Sequence, residues 1–287
     1  MKKLLAFGEV LFDIIEGEAF LGGAPFNVAA HFARHNNSAS LISAVGNDEL
    51  GKKVLKEAQN YRVETSFIQS IHDFETGKVE VRLKNGQPDY TILEPVAWDF
   101  ISLDSLQTRA IREVEWDCFC FGLLAQRNAV SEKTLHEIFD NIDFGMVFFD
   151  INLRKNFFTQ SKIEYSLQKC NILKLNVDEV NFLSSLLFYE NLSRERFSEL
   201  VSVKYNIDIV VVTMGEKGAM LYQNGEVFSA AAPKIEVTDA VGAGDSFSAA
   251  FLNEYLESEN SKLALQKACE LGAFVASKRG ALPRYNF

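Results

Sequence analysis

Lys3-Leu4-Leu5-Ala6-Phe7-Gly8-Glu9 is an apolar run closed by a glycine and an acid. It is too short for an ordinary helix and lacks polar alternation, so it reads as a strand buried on both faces. Runs of the same kind recur at 40–45, 118–121, 146–149, 172–175 and 209–212. Helical periodicity fills the intervals. Leu50, Val54, Leu55 and Ala58 share a face over 48–58, Leu135, Ile138 and Phe139 share one over 131–141, and Ser193 offers a cap for a helix reaching 205. Buried strands alternating with amphipathic helices predict an α/β fold, a doubly wound and mostly parallel sheet covered on both faces. The opening Met-Lys-Lys-Leu-Leu-Ala-Phe also mimics a signal peptide, but Glu9 and Asp13 interrupt its apolar body too early.

One stretch breaks the pattern. Over 78–84, Val79, Val81 and Leu83 alternate with Lys78, Glu80, Arg82 and Lys84, as in a half-exposed strand. Asn85-Gly86 is a strong hairpin turn, and Tyr90 and Ile92 resume the alternation on the return strand. A small antiparallel sheet is therefore expected at about 70–95. Its apolar face would lie on the main body, on a ligand or on a second copy of the chain. A second hairpin, 219–222 and 227–228 around Asn224-Gly225, is expected to close an edge of the main sheet.

Composition excludes several classes. The 287 residues carry 29 basic and 39 acidic side chains, a net charge of −10, which argues against a nucleic-acid partner. No apolar run approaches the roughly 18 residues needed to span a membrane. The length suits one large α/β domain or two average ones. Cys118, Cys120, Cys170 and Cys269 form no Cys-x-x-Cys pair, so neither a zinc site nor a disulfide framework is indicated and a reducing cytoplasm is expected. His31 and His35 stand four apart without the glutamate of a metalloprotease helix, and read as packing or surface residues.

In an open parallel sheet, ligands bind beyond the carboxyl ends of the strands. The residues there are Gly8-Glu9, Gly122, Asp150, Asn176 and Thr213, each of which could alternatively just end a strand or cap a helix. The sharpest signal is Thr238-Asp-Ala-Val-Gly-Ala-Gly-Asp-Ser-Phe247, leading into a helix. Glycines at a helix start bare the backbone N–H groups, and the helix dipole adds positive potential, so Gly242, Ala243 and Gly244 form an anion cradle. Asp245 inside it is placed to take a proton from a nucleophile attacking that anion, the plainer alternative being a capping aspartate. Gly22-Gly23 also runs into a helix, with Asn27 able to pair a sugar hydroxyl and Asp13 upstream; a tight turn with a capping Asn is the alternative. Asp150-x-Asn152-x-Arg154 adds an acid, an amide and a guanidinium that grips an anion or pairs with Asp150. Gly46 to Lys53 has P-loop spacing, but Lys53 replaces the magnesium-binding hydroxyl and the helix begins at Asp48, so it reads as a strand-to-helix loop.

Together these elements resemble the ribokinase-like sugar kinases, also called the phosphofructokinase B type family, and within it the fructokinases. The resemblance runs from Gly8-Glu9-Val10-Leu11-Phe12-Asp13 through Gly22-Gly23-x-x-x-Asn27, Gly46-x-Asp48-x-x-Gly51 and Glu94-Pro95-x-Ala97-Trp98-Asp99. It continues through Asp150-x-Asn152-x-Arg154, Asn176-x-x-Glu179 and Thr213-x-Gly215-x-x-Gly218, ending at Asp239 to Asp245. It implies one kinase domain over 1–287 with a β lid from about 11–22 and 70–95, which in several relatives forms a dimer contact. It also implies transfer of the γ-phosphoryl group of ATP to a primary hydroxyl of a sugar, with Asp245 as base and Gly242, Ala243 and Gly244 as anion hole. Asp13, Gly22, Gly23, Asn27, Asn152 and Arg154 would bind the sugar. Asn176, Thr213, Gly215 and Gly218 would bind the nucleotide, Glu179 would hold Mg2+ through water, and Asp239 and Val241 would be the place for K+. The partners implied are a small sugar, ATP and, through the lid, a second copy of the chain, with no nucleic acid and no membrane.

Three features depart from or blur the family pattern. Ala240 stands where a Thr is commoner after Asp239, which bears on the K+ site with the segment 276–280. Leu123 and Leu124 follow Gly122 where fructokinases often carry Ser. Arg154 is shared with relatives that phosphorylate 2-keto-3-deoxygluconate. Fructose is thus the first expectation, 2-keto-3-deoxygluconate or ribose the rivals, and a catalytically silent sugar-binding regulator the reading from another class.

Overall fold

Successive side chains of β1 (Lys3–Phe7) leave on opposite faces, Leu4 and Ala6 into one core, Leu5 and Phe7 into another. That division organises the whole molecule, which a computed structural model describes over residues 1–15, 18–84 and 87–285. β2 (Leu11–Ile15) and β3 (Glu18–Gly22) make a hairpin beside the main body, and α1 (Ala24–Arg34) returns to it. β4 (Ser38–Gly46), α2 (Glu49–Asn60), β5 (Val63–Glu64) and β6 (Ile68–Ile71) then build one side of the main sheet. β7 (Gly77–Lys84) and β8 (Gln87–Ile92) leave again to join β2. The other side follows as α3 (Ser105–Arg112), β9 (Cys118–Phe121), α4 (Ala129–Asn141), β10 (Val147–Asp150), α5 (Gln160–Lys169), β11 (Ile172–Asn176), α6 (Val177–Phe188), α7 (Arg194–Tyr205) and β12 (Ile209–Thr213). β13 (Ala219–Gln223), β14 (Glu226–Ala230), α8 (Ala243–Ser258) and α9 (Ser261–Ala276) complete the chain.

The main sheet runs β14-β13-β12-β11-β10-β9-β1-β4-β5, with β6 also on β4, parallel from β12 through β5 and antiparallel at the β12-β13-β14 edge. The α/β reading and the edge hairpin hold. One face packs under α1, α8 and α9 through Phe26, Phe32, Phe251 and Leu265. The other packs under α4 to α7 through Leu135, Ile163, Val180 and Phe197, with Phe119, Phe121 and Phe149 stacked beneath. The expected boundaries shift at one helix: α4 starts two residues before Ser131 because Asn128 supplies the cap, accepting from Val130 N at 3.0 Å. Ser131 is instead buried and donates to Trp98 O.

The small sheet has the order β3-β2-β7-β8. Its hairpins are antiparallel, while β2 and β7 run parallel where they join them. It starts at Gly77 and not near 70, since β6 belongs to the main sheet. The expected turn at Asn85-Gly86 lies outside the described residues. At its base a Cβ on Gly77 would meet Trp98 Nε1 at 2.3 Å, so only glycine lets the strand pass the indole. Arg127 pins the return: Nε and Nη2 bind Asp99, and Nη2 also donates to Leu93 O at 2.7 Å.

The P-loop-like segment is a helix start. Asp48 caps α2 by accepting from Gly51 N at 2.7 Å and binds Thr76 N and Oγ1, and a Cβ on Gly51 would strike Gly46 O. His31 is buried, with Nε2 2.9 Å from Ala281 O, and burial holds its pKa down at about 3. All four thiols are free and buried. Among the described residues no cluster of His, Cys, Asp or Glu could hold a metal ion, and no helix is long and apolar enough to cross a membrane.

Candidate active site

Parallel pairing puts the carboxyl ends of β1, β9, β10, β11 and β12 on one rim. The chain builds first to the β4 side of β1 and later to its β9 side, so a crevice opens at this reversal. Glu9, Gly122, Asp150 and Asn152 line a cavity there, with Ala24 and Pro25 at the start of α1.

Asp13 on β2 faces the crevice half-buried, its pKa raised to about 6 by burial and then by the negative charge of Asp245. Gly22 lies on the neighbouring strand, where a Cβ would come within 2.8 Å of Asp13 Oδ2. Gly23 takes φ +109 against Glu9 O, which turns the chain into α1 and aims Asn27 at the centre. Asn27 Nδ2 donates to Asp245 Oδ2 at 2.7 Å. Its Oδ1 is buried without a partner among the described residues, an acceptor that a sugar hydroxyl fits.

α8 begins at Gly242 in the left-handed region, φ 76, with Ala281 packed where a Cβ would be. No side chain among the described residues caps this helix, so its first-turn N–H groups are left for an anion. Ala243 N is partly committed, with a long 3.3 Å bond to Ala240 O. Asp245 follows one residue after Gly244. Burial raises its pKa, the hydrogen bond from Asn27 opposes this, Asp150 raises it further and Lys174 and Arg154 lower it. A carboxylate held up in this way is a better proton acceptor than a surface aspartate.

The β12 side of the rim is built differently. Asn176 Oδ1 accepts from Glu179 N at 2.9 Å and Glu179 Oε2 accepts from Asn176 N at 2.7 Å, a reciprocal cap on α6. Glu179 Oε1 also accepts from Leu153 N, so a magnesium ion beside this buried carboxylate would find only its remaining lone pairs, which suits contact through water. Thr213 ends β12, and Met214 N bonds Gly218 O across a tight loop. Gly215 in that loop is open to solvent, while Gly218 at φ +94 presses against Ala230 O. Asp239 accepts from Val241 N and Gly280 N, tying the loop before α8 to the segment after α9.

The structure thus gathers Asp13, Gly22, Gly23, Asn27 and Asp245 at one point, while Asn176, Thr213, Gly215 and Gly218 lie along the rim toward the β12 side. Asn152, with φ 42, lines the crevice, and Arg154 is exposed beside it. Asp150 does not pair with Arg154. It takes Lys174, at 2.9 and 3.0 Å, and the hydroxyl of Ser248, because the register of β10 with β11 and the packing of α8 bring these buried groups closer than the loop does. Sequence reasoning missed Lys174, whose signal was a lysine inside a buried strand. It placed Glu9 on the rim without a role of its own, and the structure shows a buried carboxyl whose pKa burial raises to about 7. Ser248 carried no signal.

Residues 2–284 match the model of the pfkB family carbohydrate kinases. The chain is 30% identical to the uncharacterized sugar kinase PH1459 of Pyrococcus horikoshii, over 97% of this chain and 91% of the other. That protein's structure in complex with ATP superimposes with a TM-score of 0.82, covering 97% and 93% of the two chains at 28% identity. The Escherichia coli fructokinase is 24% identical over 98% of this chain and 95% of its own. The fold is shared with the Vibrio cholerae O395 fructokinase in its fructose, ADP and calcium form, TM-score 0.84 at 22% identity, covering 98% and 94%.

Proposed function

Because the chain belongs to the pfkB family and is an ATP-dependent sugar kinase, we propose that its sugar is fructose, converted to fructose 6-phosphate with Asp245 as general base. The observation that carries the catalytic part is the Asn27–Asp245 pair at the uncapped start of α8. Asn27 orients the carboxylate, which takes the proton of the primary hydroxyl as that oxygen attacks the γ-phosphorus and the bond from that phosphorus to the β,γ-bridging oxygen breaks, releasing ADP. The amides from Gly242 to Gly244 hold the charge gathering on the transferred oxygens, and positioning with charge neutralisation carries most of such a reaction. Asp13, Gly22, Gly23 and Asn152 frame the sugar. Asn176, Thr213, Gly215 and Gly218 hold the nucleotide.

Mg2+ bound through water at Glu179 would neutralise phosphate charge, and K+ at Asp239 and Val241 would steady the loop before α8. The small sheet acts as a lid whose outer face can meet a second copy. The four reduced thiols suit a cytoplasmic enzyme. Fructose is supported by the fructokinase-like elements at 22–27 and 94–99 and by the fructokinases among the relatives. A second reading, 2-keto-3-deoxygluconate, is favoured by the charge of Arg154, which reaches Glu9, Asp13 and Asp245.

Coupled ADP release with ATP and magnesium tests this across fructose, ribose, 2-keto-3-deoxygluconate, tagatose and adenosine, with and without potassium. The expected outcome is a dominant response to fructose. Preference for 2-keto-3-deoxygluconate, lost in Arg154→Ala, would establish the second reading. Silence in folded protein would move the weight to an untested substrate or to a sugar-binding regulator.

A further inference from the structure

Asp150, Lys174 and Ser248 lie beneath the start of α8 and take no part in the chemistry above. Lys174 Nζ sits 3.0 and 2.9 Å from the two oxygens of Asp150. The Ser248 hydroxyl is 2.9 Å from Asp150 Oδ2 and 3.0 Å from Gly244 O, sharing its proton between them. A Cβ on Gly244 would stand 3.2 Å from Lys174 Nζ, so the ammonium lies directly against the first turn of the helix. All three residues are buried. A buried ion pair is a poor source of stability, since packed apolar side chains often do as well, and its presence here calls for another role.

We propose that Asp150 and Lys174 are positioning residues that act through Ser248 to hold the first turn of α8, and with it Gly244 and Asp245, in register with the sheet rim. Asp150 fixes the hydroxyl that grips Gly244 O, and Lys174 fixes Asp150 while resting under Gly244. The anion hole and the base are thereby anchored to β10 and β11, the strands that end beside the phosphate-binding residues. The inference rests on Asp245 being the base. Asp245 is faced by Glu9, Asp13, Asp150 and Cys120, by Lys174 and Arg154, and by the amide of Asn27. Among these the ion pair offers a signed test, because Asp150 holds the carboxyl of Asp245 up and Lys174 holds it down.

Steady-state kinetics of Asp150→Asn, Lys174→Met and Ser248→Ala, beside Asp245→Asn, would be followed over about pH 5 to 9 with ATP, magnesium and the best sugar of the panel. Displacement of the helix start should lower kcat about 10- to 100-fold in the first two variants, with KM for ATP within about twofold. The acid limb of kcat should move to lower pH in Asp150→Asn and to higher pH in Lys174→Met. Wild-type kcat in both, or limbs moving the same way, would overturn the inference. If neither variant folds, Ser248→Ala decides, since it keeps both charges: a lower kcat at unchanged KM supports the tether, and wild-type kcat overturns it. Full turnover in Asp245→Asn would remove the base assignment and this inference with it. Reduced turnover there, with the other variants at wild-type rate, would overturn this inference alone.

Discussion

The helices α6 and α8 start on the same rim and use their first turns in opposite ways. α6 closes itself, Asn176 and Glu179 satisfying each other's backbone N–H groups. α8 begins on Gly242 with no side-chain cap among the described residues, and its first acid, Asp245, reaches across to Asn27. α1 is an intermediate case. Its N-cap is Gly23, and Glu9 at the end of β1 accepts from Ala24 N at 3.3 Å. Every helix start has the same unpaired donors. What differs is whether the chain spends a side chain on them, and α8, where it does not, is where the proposed function would seat a phosphoryl group.

The largest effect that would break this contrast is expected at Asp245. Asp245→Asn keeps the Asn27 contact in shape but removes the base, so turnover should fall about 10²- to 10⁴-fold while sugar binding, followed by calorimetry, stays close to wild type. Equal turnover would mean that α8 merely carries a capping acid.

A smaller effect is expected at Glu9. Its pKa rises from 4.5 to about 7 through burial, so the folded chain holds a proton that the unfolded chain has released. Its contribution is complete below pH 4.5 and is lost as pH rises through about 7, a difference of about 3 kcal/mol at most. Glu9→Gln keeps an acceptor for Ala24 N and cannot ionise. It should therefore raise the melting temperature at pH 8 and leave it unchanged near pH 4, and the same shift at both would show that Glu9 is not the titrating cap.

The smallest effect is expected at α6. Asn176→Ala removes one half of a reciprocal cap and should cost about 0.5–2 kcal/mol in urea unfolding. A loss of ATP affinity well beyond that of stability would show that Asn176 serves the ligand first and the helix second.

The parts of this architecture legible in the sequence are those set by local pattern. β1 and β9 fall on the residues marked by their apolar runs, and α2 and α7 start after Asp48 and Ser193, because burial on both faces and a capping oxygen each leave a short-range signature. α4 began earlier than its periodicity suggested, since Asn128 caps it and Ser131 was drawn into the core by Trp98 O. Gly242 to Asp245 and Gly22 to Asn27 were readable as separate turns, because glycines before a helix constrain the backbone within a few residues.

Their meeting was not readable from spacing. Asn27 and Asp245 are 218 residues apart and touch only because α1 and α8 pack on the same face of the sheet. Asp150 looked as ready to bind Arg154, four residues away, as anything else. Only the parallel register of β10 and β11, with Asp150 beside Lys174, gave it a buried partner. Sequence therefore determined which groups could act, through composition and local backbone geometry. The tertiary structure decided which of them face one another, because Coulomb energies and hydrogen bonds depend on separations and burial that only strand order and helix packing set.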